Sequence, residues 1–268
     1  MGKKLTAPIK GSLKSGVLRL IQLDRLSDHS SMFSDETHRD LIAKLMHVML
    51  ALGLYKQDFE PDFLQETTSF FPKDSTEKLK AMDLAGYLNY VDNVLKDELH
   101  RVQECMDIST KRIVLDILQK ELIEAHKSEI LTNKEFSRFI IEGKVFELQM
   151  MHSQLKRVKG SLELRKTWGS HLKLRGEELI KEEIVAKKSF IVVEDILEFK
   201  KRQEDLLTKV FIDKEDHDLF KLVIKESFEH FLNLNSNVMS EFLAKFLDMH
   251  LKKTSTLGSD EALEDLTN

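Results

Sequence analysis

Proline is scarce in this chain. Only Pro8, Pro61 and Pro72 occur among 268 residues, and none follows residue 72. Because proline breaks helix interiors and is common in the turns of β proteins, its scarcity favours an almost wholly helical body. No alternation of polar and apolar residues is long enough to build a sheet, whereas apolar residues recur at three and four positions along most of the chain. The sequence therefore predicts an all-α protein.

Cysteine and long apolar runs are also nearly absent. The single cysteine, Cys105, excludes a disulfide within the chain and any multi-cysteine metal site, which is typical of a reducing compartment. It lies in the apolar segment 102–108, so we interpret it as core filler rather than a nucleophile. No apolar run approaches the roughly 18 residues of a membrane span. These features predict an intracellular protein of the cytoplasm, the nucleus or both, without a membrane partner.

The chain has no excess of positive charge. Its net charge is -5, and both signs are interspersed, whereas phosphate binding requires a basic surface, so we expect no nucleic-acid partner. One basic segment stands out, because five Lys or Arg residues precede the first acid, Asp24. The start, residues 1–6, fits the myristoylation pattern with Gly2 as acceptor, and one acyl chain beside a basic patch suffices for membrane association. The alternative interpretation is a disordered basic tail over residues 1–11.

About ten helical segments are predicted. Ser109 is expected to cap one of them, Thr132 and Glu135 to form a capping box, and Gly160 and Gly176 to end two others. Pro72 is expected to close a helix, followed by a polar linker. Short connections predict neighbouring helices that pack largely antiparallel, in bundles stacked end to end or in one irregular bundle. The predicted helices cover 13–26, 34–53, 58–72, 87–106, 109–125, 132–143, 144–158, 161–175, 190–212 and a final hairpin that ends near 253.

No residue pattern indicates catalysis. Histidines such as His38 and His47 do not show the spacing of a metal site, and the glycines are interpreted as helix ends rather than a phosphate loop. Acidic pairs, Asp97–Glu98 and Glu182–Glu183, are typical of solvated helix faces. We therefore expect no enzyme activity, no catalytic residue, no metal and no cofactor.

The final hairpin carries the most specific residues. Its two helices read SFEHFLNLN and EFLAKFLDMHLKK within 226–253, and this pairing resembles the end of the N-terminal half of a cullin. Further blocks resemble the same family in the same order. The residues of these blocks are most similar to those of the cullin-4 class, especially its plant-like members. These blocks are Gly16–Leu26, Leu54–Phe71, Tyr87–Val102, Leu118–Leu131, Leu148–Val158 and Val192–Leu207.

Cullins are the elongated scaffolds of multisubunit ubiquitin ligases, so the resemblance implies both a fold and a role. The implied fold is a curved stalk of stacked five-helix-bundle cullin repeats with the first repeat incomplete. A substrate adaptor binds at the N-terminal end of a cullin, and the RING subunit binds in its globular C-terminal half. The implied division is a basic tail (1–11), a partial first repeat (12–83), a second repeat (84–185), a third repeat (186–253) and a C-terminal tail (254–268).

Most of the first repeat of a full cullin, and the whole of its RING-binding half, have no counterpart in the resemblance. We therefore expect a truncated, non-enzymatic cullin-like scaffold that takes part in ubiquitin-dependent protein catabolism, whose partner is a substrate adaptor and not a RING subunit. Leu13 and Val17 are implied to face that adaptor; equally, they are core residues whose partners are absent. The alternative function is a helical interaction scaffold that no longer acts in ubiquitin ligation, tethered to a membrane through Gly2.

Overall fold

The computed structural model describes residues 7–26, 35–186 and 191–257. These residues form twelve α-helices and two single π-helical segments, Tyr55–Phe59 and Gln119–Glu124, with no strand among them, so the predicted all-α class is confirmed. The α-helices are α1 (Ala7–Leu26), α2 (Asp35–Ala51), α3 (Glu60–Ala81), α4 (Leu84–Cys105), α5 (Thr110–Leu118), α6 (Lys127–Thr132), α7 (Lys134–Glu142), α8 (Val145–Arg157), α9 (Ser161–Ala186), α10 (Ile191–Val210), α11 (Lys214–Leu234) and α12 (Ser236–Leu257).

The chain divides into two compact units. The first ends at Ile130 and the second begins at Leu131. This boundary lies inside the segment 84–185 that the resemblance assigns to one repeat. The division into three repeats stays a prediction.

The core of the first unit is built from one face of each amphipathic helix. Tyr55, Phe59 and Phe63 are almost fully buried and follow each other at four-residue spacing, so they form a continuous aromatic ridge. Tyr87 of α4 is also fully buried, and its hydroxyl donates a hydrogen bond to the carbonyl oxygen of Leu122 at 2.7 Å. Burial without an acceptor would cost free energy, so this bond allows a tyrosine in the core.

Pro72 does not end its helix. It lies within α3, which continues through the segment predicted to be a linker and ends at Ala81. A proline in a helix interior costs about 3 kcal/mol. Here the residues on either side of it, Phe71 and Ser75, are both buried, so tertiary packing holds the two halves in one helix.

Two predicted caps differ in the structure. Ser109 makes no capping hydrogen bond to the helix; its hydroxyl instead donates to Asp107 Oδ1 at 2.6 Å. Thr132 is the last residue of α6, and the cap of α7 is Asn133, whose side chain accepts a hydrogen bond from the Glu135 amide at 2.9 Å. In both cases several polar residues compete locally, and the backbone geometry selects among them.

Gly176 was predicted to end a helix, but α9 continues through it to Ala186. The glycine is required by packing rather than by a turn. A Cβ atom at this position would lie 2.2 Å from Phe231 Cδ1, so only a residue without a side chain allows α11 to approach this closely.

The apolar residues of α5 and α12 are only partly buried. In α5 the buried residues are Thr110, Val114 and Leu118, whereas Ile113 is exposed. In α12 Phe242 and Phe246 are buried, but a neighbouring apolar stripe is about half exposed. That stripe consists of Leu243, Leu247 and Leu251. Adjacent helical positions lie about 100° apart, so a wide apolar face contains both buried and exposed residues.

The core of the second unit is centred on its single tryptophan, Trp168, which is 1% exposed. Its ring lies 5.7 Å from that of Phe211 and 5.4 Å from that of Phe220. Phe211 and Phe220 stack on each other at 3.8 Å, and Phe136 meets Trp168 edge to face. This aromatic cluster joins α7, α9 and α11.

Candidate functional site

The residues implied to face an adaptor lie on α1. Val17 is fully buried, and Leu13 is half-buried. Ile9, one helical turn before Leu13 on the same side of α1, is about half exposed. Leu13 therefore lies at the edge of an apolar stripe that reaches solvent, whereas Val17 contributes to the core. Their contact with an adaptor stays a prediction, and Gly2 lies outside the described residues.

A buried cluster of charged side chains, which the sequence did not reveal, joins α1, α2 and α4. We call Asp24, Arg25, Arg39, Glu98 and Arg101 the ion-pair cluster. Arg25 donates two hydrogen bonds to Glu98, from Nε to Oε1 and from Nη2 to Oε2, both at 2.9 Å. Arg101 lies between the two carboxylates, with Nη1 bonded to Glu98 and Nη2 bonded to Asp24.

The cluster is closed to water except at one edge. The side chains of Arg25, Glu98, Arg101 and Asp24 are at most 5% exposed, whereas Arg39 is 37% exposed and approaches Asp24 with Nε at 3.3 Å from Oδ1. Two buried carboxylates thus face two buried guanidinium groups. This balance is what makes deep burial of four charges tolerable.

The environment of Arg25 adds a second set of contacts. Its Nη2 atom donates to Thr67 Oγ1 at 2.9 Å, and its guanidinium lies 5.1 to 5.5 Å from the ring centres of three aromatic residues of α3. Such cation–π contacts strengthen when they are removed from water. Arg25 therefore connects α1 to α3 as well as to α4. The three aromatic residues are Phe63, Phe70 and Phe71.

Two members of the cluster, Glu98 and Arg101, are held in their charged forms. Burial alone would raise the pKa of Glu98, but the guanidinium groups of Arg101 and Arg25 outweigh it and lower the pKa to about 2. Burial works against the charge of Arg101 too, yet Glu98 and Asp24 raise the pKa of its guanidinium. A carboxylate held ionised in this way does not exchange protons near neutral pH. The arrangement can hold helices together; it is not acid–base machinery.

Asp97 and Glu98 were predicted to lie on a solvated face, and for Glu98 this is wrong. Its exposed fraction is 2%. The side chains of Glu182 and Glu183 lie outside the described residues. A sequence signal for the cluster did exist, since an arginine follows Glu98 at three residues, but that spacing is equally common on exposed helices.

The histidines whose side chains are described do not converge on one site. His126 is buried, with Nε2 at 2.9 Å from Ser75 Oγ and its ring edge to face with Tyr87. His47 and His100 are exposed and lie on different helices, and the side chain of His38 is not among those described. Over the described residues, no group of three or more His, Cys, Asp or Glu side chains is placed to hold a metal ion.

His152 and His171 make polar contacts in helix interfaces of the second unit. His152 Nε2 lies 3.3 Å from Asp216 Oδ2 in a close contact that lacks hydrogen-bond geometry, and burial lowers the pKa of His152 despite that carboxylate. Ser137 Oγ lies 2.7 Å from His171 Nδ1, and burial lowers the pKa of His171 as well. Both imidazoles are thus neutral connectors between helices.

Cys105 is buried, as predicted, and burial raises the pKa of its thiol. The protonated thiol is a poor nucleophile, so this cysteine behaves as packing. None of the described helices is both long and apolar enough to cross a membrane.

Comparison with known proteins agrees with the helical architecture. A family model described as the cullin alpha solenoid domain matches residues 3–268. The chain is 30% identical to Cullin-4 of Dictyostelium discoideum over 87% of its own length and 28% of that protein. It is 28% identical to Cullin-4A of Homo sapiens, over 93% of this chain and 31% of that one, and 25% identical to Cullin-3A of Arabidopsis thaliana, over 90% and 32%. The chain thus spans about a third of the length of the curated relatives it matches.

Proposed function

This chain belongs to the cullin family, and from that membership we propose that it is a non-enzymatic scaffold segment of a ubiquitin ligase. The family match over residues 3–268 carries the proposal. The similarity to Cullin-4 of two organisms favours a cullin-4-like member. As a cullin-like scaffold it would act inside the cell, in the cytoplasm, the nucleus or both.

Rigidity is the physical property that such a scaffold needs. Holding a substrate and an activated ubiquitin at a fixed separation raises their effective concentration without new contacts. The ion-pair cluster supports this role, because it fixes α1 to α4 through side chains that cannot move without leaving a buried charge unpaired. The aromatic cluster around Trp168 has the same effect in the second unit.

We further propose that the partner of this segment is a substrate adaptor and not a RING subunit. The whole matched range corresponds to the helical solenoid, whereas the resemblance places RING binding in a globular half. Leu13 offers the contact, because it lies one helical turn from the exposed Ile9 on α1. Val17 is fully buried, so it would act by supporting α1.

The test uses the purified full chain in surface plasmon resonance with purified adaptors of the β-propeller, BTB and Skp types and with a RING subunit. We expect one adaptor class to bind, with a Kd of about 1 µM or tighter, and the RING subunit not to bind. Leu13→Asp should weaken adaptor binding by about tenfold or more, whereas Ser15→Asp, at an exposed position of the same helix, should not.

Failure of every adaptor class to bind would refute the ubiquitin-ligase role for this segment. The remaining function would be a helical interaction scaffold outside ubiquitin ligation. Mass spectrometry of the N-terminus from native cells would then decide whether Gly2 is acylated, as a membrane-tethered scaffold requires.

A further inference from the structure

A groove of about 430 Å³ runs along the contact between α9 and α11 in the second unit. The two helices run parallel, because Gly169 of α9 approaches Val223 and Ser227 of α11, and Gly176 approaches Phe231 farther along both. The residues of α9 that line the groove lie between 162 and 173, a length of about 16 Å at 1.5 Å per residue. We call this feature the α9/α11 groove.

Gly169 keeps the floor of the groove open. A Cβ atom there would lie 3.1 Å from Val223 Cγ1 and 3.4 Å from Ser227 Oγ. The hydroxyl of Ser227 donates to the carbonyl oxygen of Val223 at 2.6 Å and to that of Gly169 at 3.3 Å. This hydroxyl is therefore satisfied within the floor of the groove. The close approach of the two helices thus leaves a shallow channel above a satisfied, rigid base.

The walls combine exposed apolar groups with positive charge. Leu162 and Leu222, one on each helix, are 52% and 50% exposed. Arg165, Lys166 and Lys173 line the α9 wall and face a single acid of the groove, Glu226. A local excess of positive charge contrasts with the net charge of -5 for the whole chain.

The positive charges of the groove are not neutralised by ion pairs within the described residues. Within the described part of the chain, no acidic side chain forms an ion pair with Arg165, Lys166 or Lys173. The Nε atom of Arg165 is buried and has no hydrogen-bond acceptor within the same residues. A buried donor without an acceptor is unfavourable, so Arg165 gains from the approach of a carboxylate to its guanidinium group.

We propose that the α9/α11 groove binds an acidic amphipathic helix of a protein partner. Its length fits about three helical turns, and helix-in-groove recognition uses apolar anchors at positions i, i+3, i+4 and i+7. The partner's apolar anchors would contact Leu162 and Leu222, and its carboxylates would pair with Arg165, Lys166 and Lys173. The groove lies on different helices from Leu13, so this proposal does not depend on adaptor binding.

The test titrates the full chain into two fluorescein-labelled synthetic helices of about 16 residues and follows anisotropy. Both carry leucine at the same helical positions; one has glutamate on the flanks and the other has lysine. We expect the glutamate peptide to bind about tenfold tighter than the lysine peptide or better, and its affinity to fall as salt is raised.

Charge reversal locates the binding site. Lys166→Glu with Lys173→Glu should weaken binding of the glutamate peptide by about tenfold or more. Lys201→Glu with Lys221→Glu is the matched control, because both residues are exposed lysines of the same unit outside the groove, and its affinity should stay within about twofold of wild type. Circular dichroism of each variant checks that the fold is retained. Arg165→Gln is a second groove variant, in which a single positive side chain is replaced by a neutral one.

Equal affinity for the two peptides, or unchanged binding by the groove variant, would overturn the proposal. So would a wild-type dimer in sedimentation that the groove variant converts to monomer without any peptide binding, because the occupant would then be a second copy of this chain.

Discussion

Arg25 of α1 and Glu98 of α4 form a two-pronged ion pair, with both nitrogen–oxygen distances at 2.9 Å and both side chains at most 5% exposed. The pair joins residues that are far apart in sequence. Its geometry is the fork-to-fork arrangement that makes arginine–carboxylate contacts specific. Such a contact defines one arrangement of the helices that it connects.

Replacement of Glu98 by glutamine should destabilise the first unit strongly. Glu98→Gln leaves Arg25 and Arg101 without their shared carboxylate in a buried site, and removal of one partner from a buried pair costs about 3–5 kcal/mol. Urea unfolding followed by circular dichroism measures the loss. The control Asp92→Asn breaks an exposed pair with Lys96 on the same helix and should cost less than about 1 kcal/mol. Equal losses would show that burial of the cluster contributes nothing.

Acid should remove the contribution of Glu98. Its pKa is lowered from 4.5 to about 2 on folding, so below 4.5 the unfolded state binds the proton first, and the stabilisation is lost as the pH falls from 4.5 towards 2. At neutral pH this shift corresponds to about 3 kcal/mol. The difference in unfolding free energy between wild type and Glu98→Gln should therefore shrink as the pH falls from about 5 to about 2.5. A constant difference would contradict the lowered pKa.

The second unit should lose stability in milder acid. Burial lowers the pKa values of His152 and His171 below 6.5, so as the pH falls below 6.5 the unfolded state is protonated first and the unfolding free energy decreases. Trp168 is the only tryptophan and is buried in this unit, so its fluorescence reports the transition. The double variant His152→Gln with His171→Gln should show a weaker dependence between about pH 7 and about pH 5.

The control for that experiment is His47→Gln, which removes an exposed imidazole from the other unit. Its Trp168 transition should follow that of wild type at every pH. A double variant with the full wild-type dependence would assign the effect to other groups.

Alanine at two glycines should have contrasting effects on stability. Gly176→Ala places a Cβ atom against the Phe231 ring, and overpacking of this kind costs about 1–3 kcal/mol. Gly16→Ala, within α1, meets nothing within 4 Å and removes a poor helix former, so it should be neutral or stabilise by up to about 1 kcal/mol. Thermal unfolding of both variants measures the contrast. Stabilisation by Gly176→Ala would show that α9 and α11 separate easily.

The sequence by itself determined the class and most of the helices. Helices are local, since each turn is made by residues three and four apart, and the apolar spacing therefore located α4, α8 and α10 to within a few residues. The sequence alone also indicated the cullin resemblance, because blocks of residues typical of the family occur in the same order along the chain.

Tertiary structure decided what local pattern leaves open. Pro72 lies inside a helix because buried residues on both sides hold it there, and Gly176 lies inside another because Phe231 packs against it. The sequence pattern around Glu98 is typical of an exposed acid, and only the folded structure brings Arg25, 73 residues away, into contact with it. Contacts of this kind depend on which helix faces approach each other in space, and that information is shared among distant segments of the chain rather than written in any one of them.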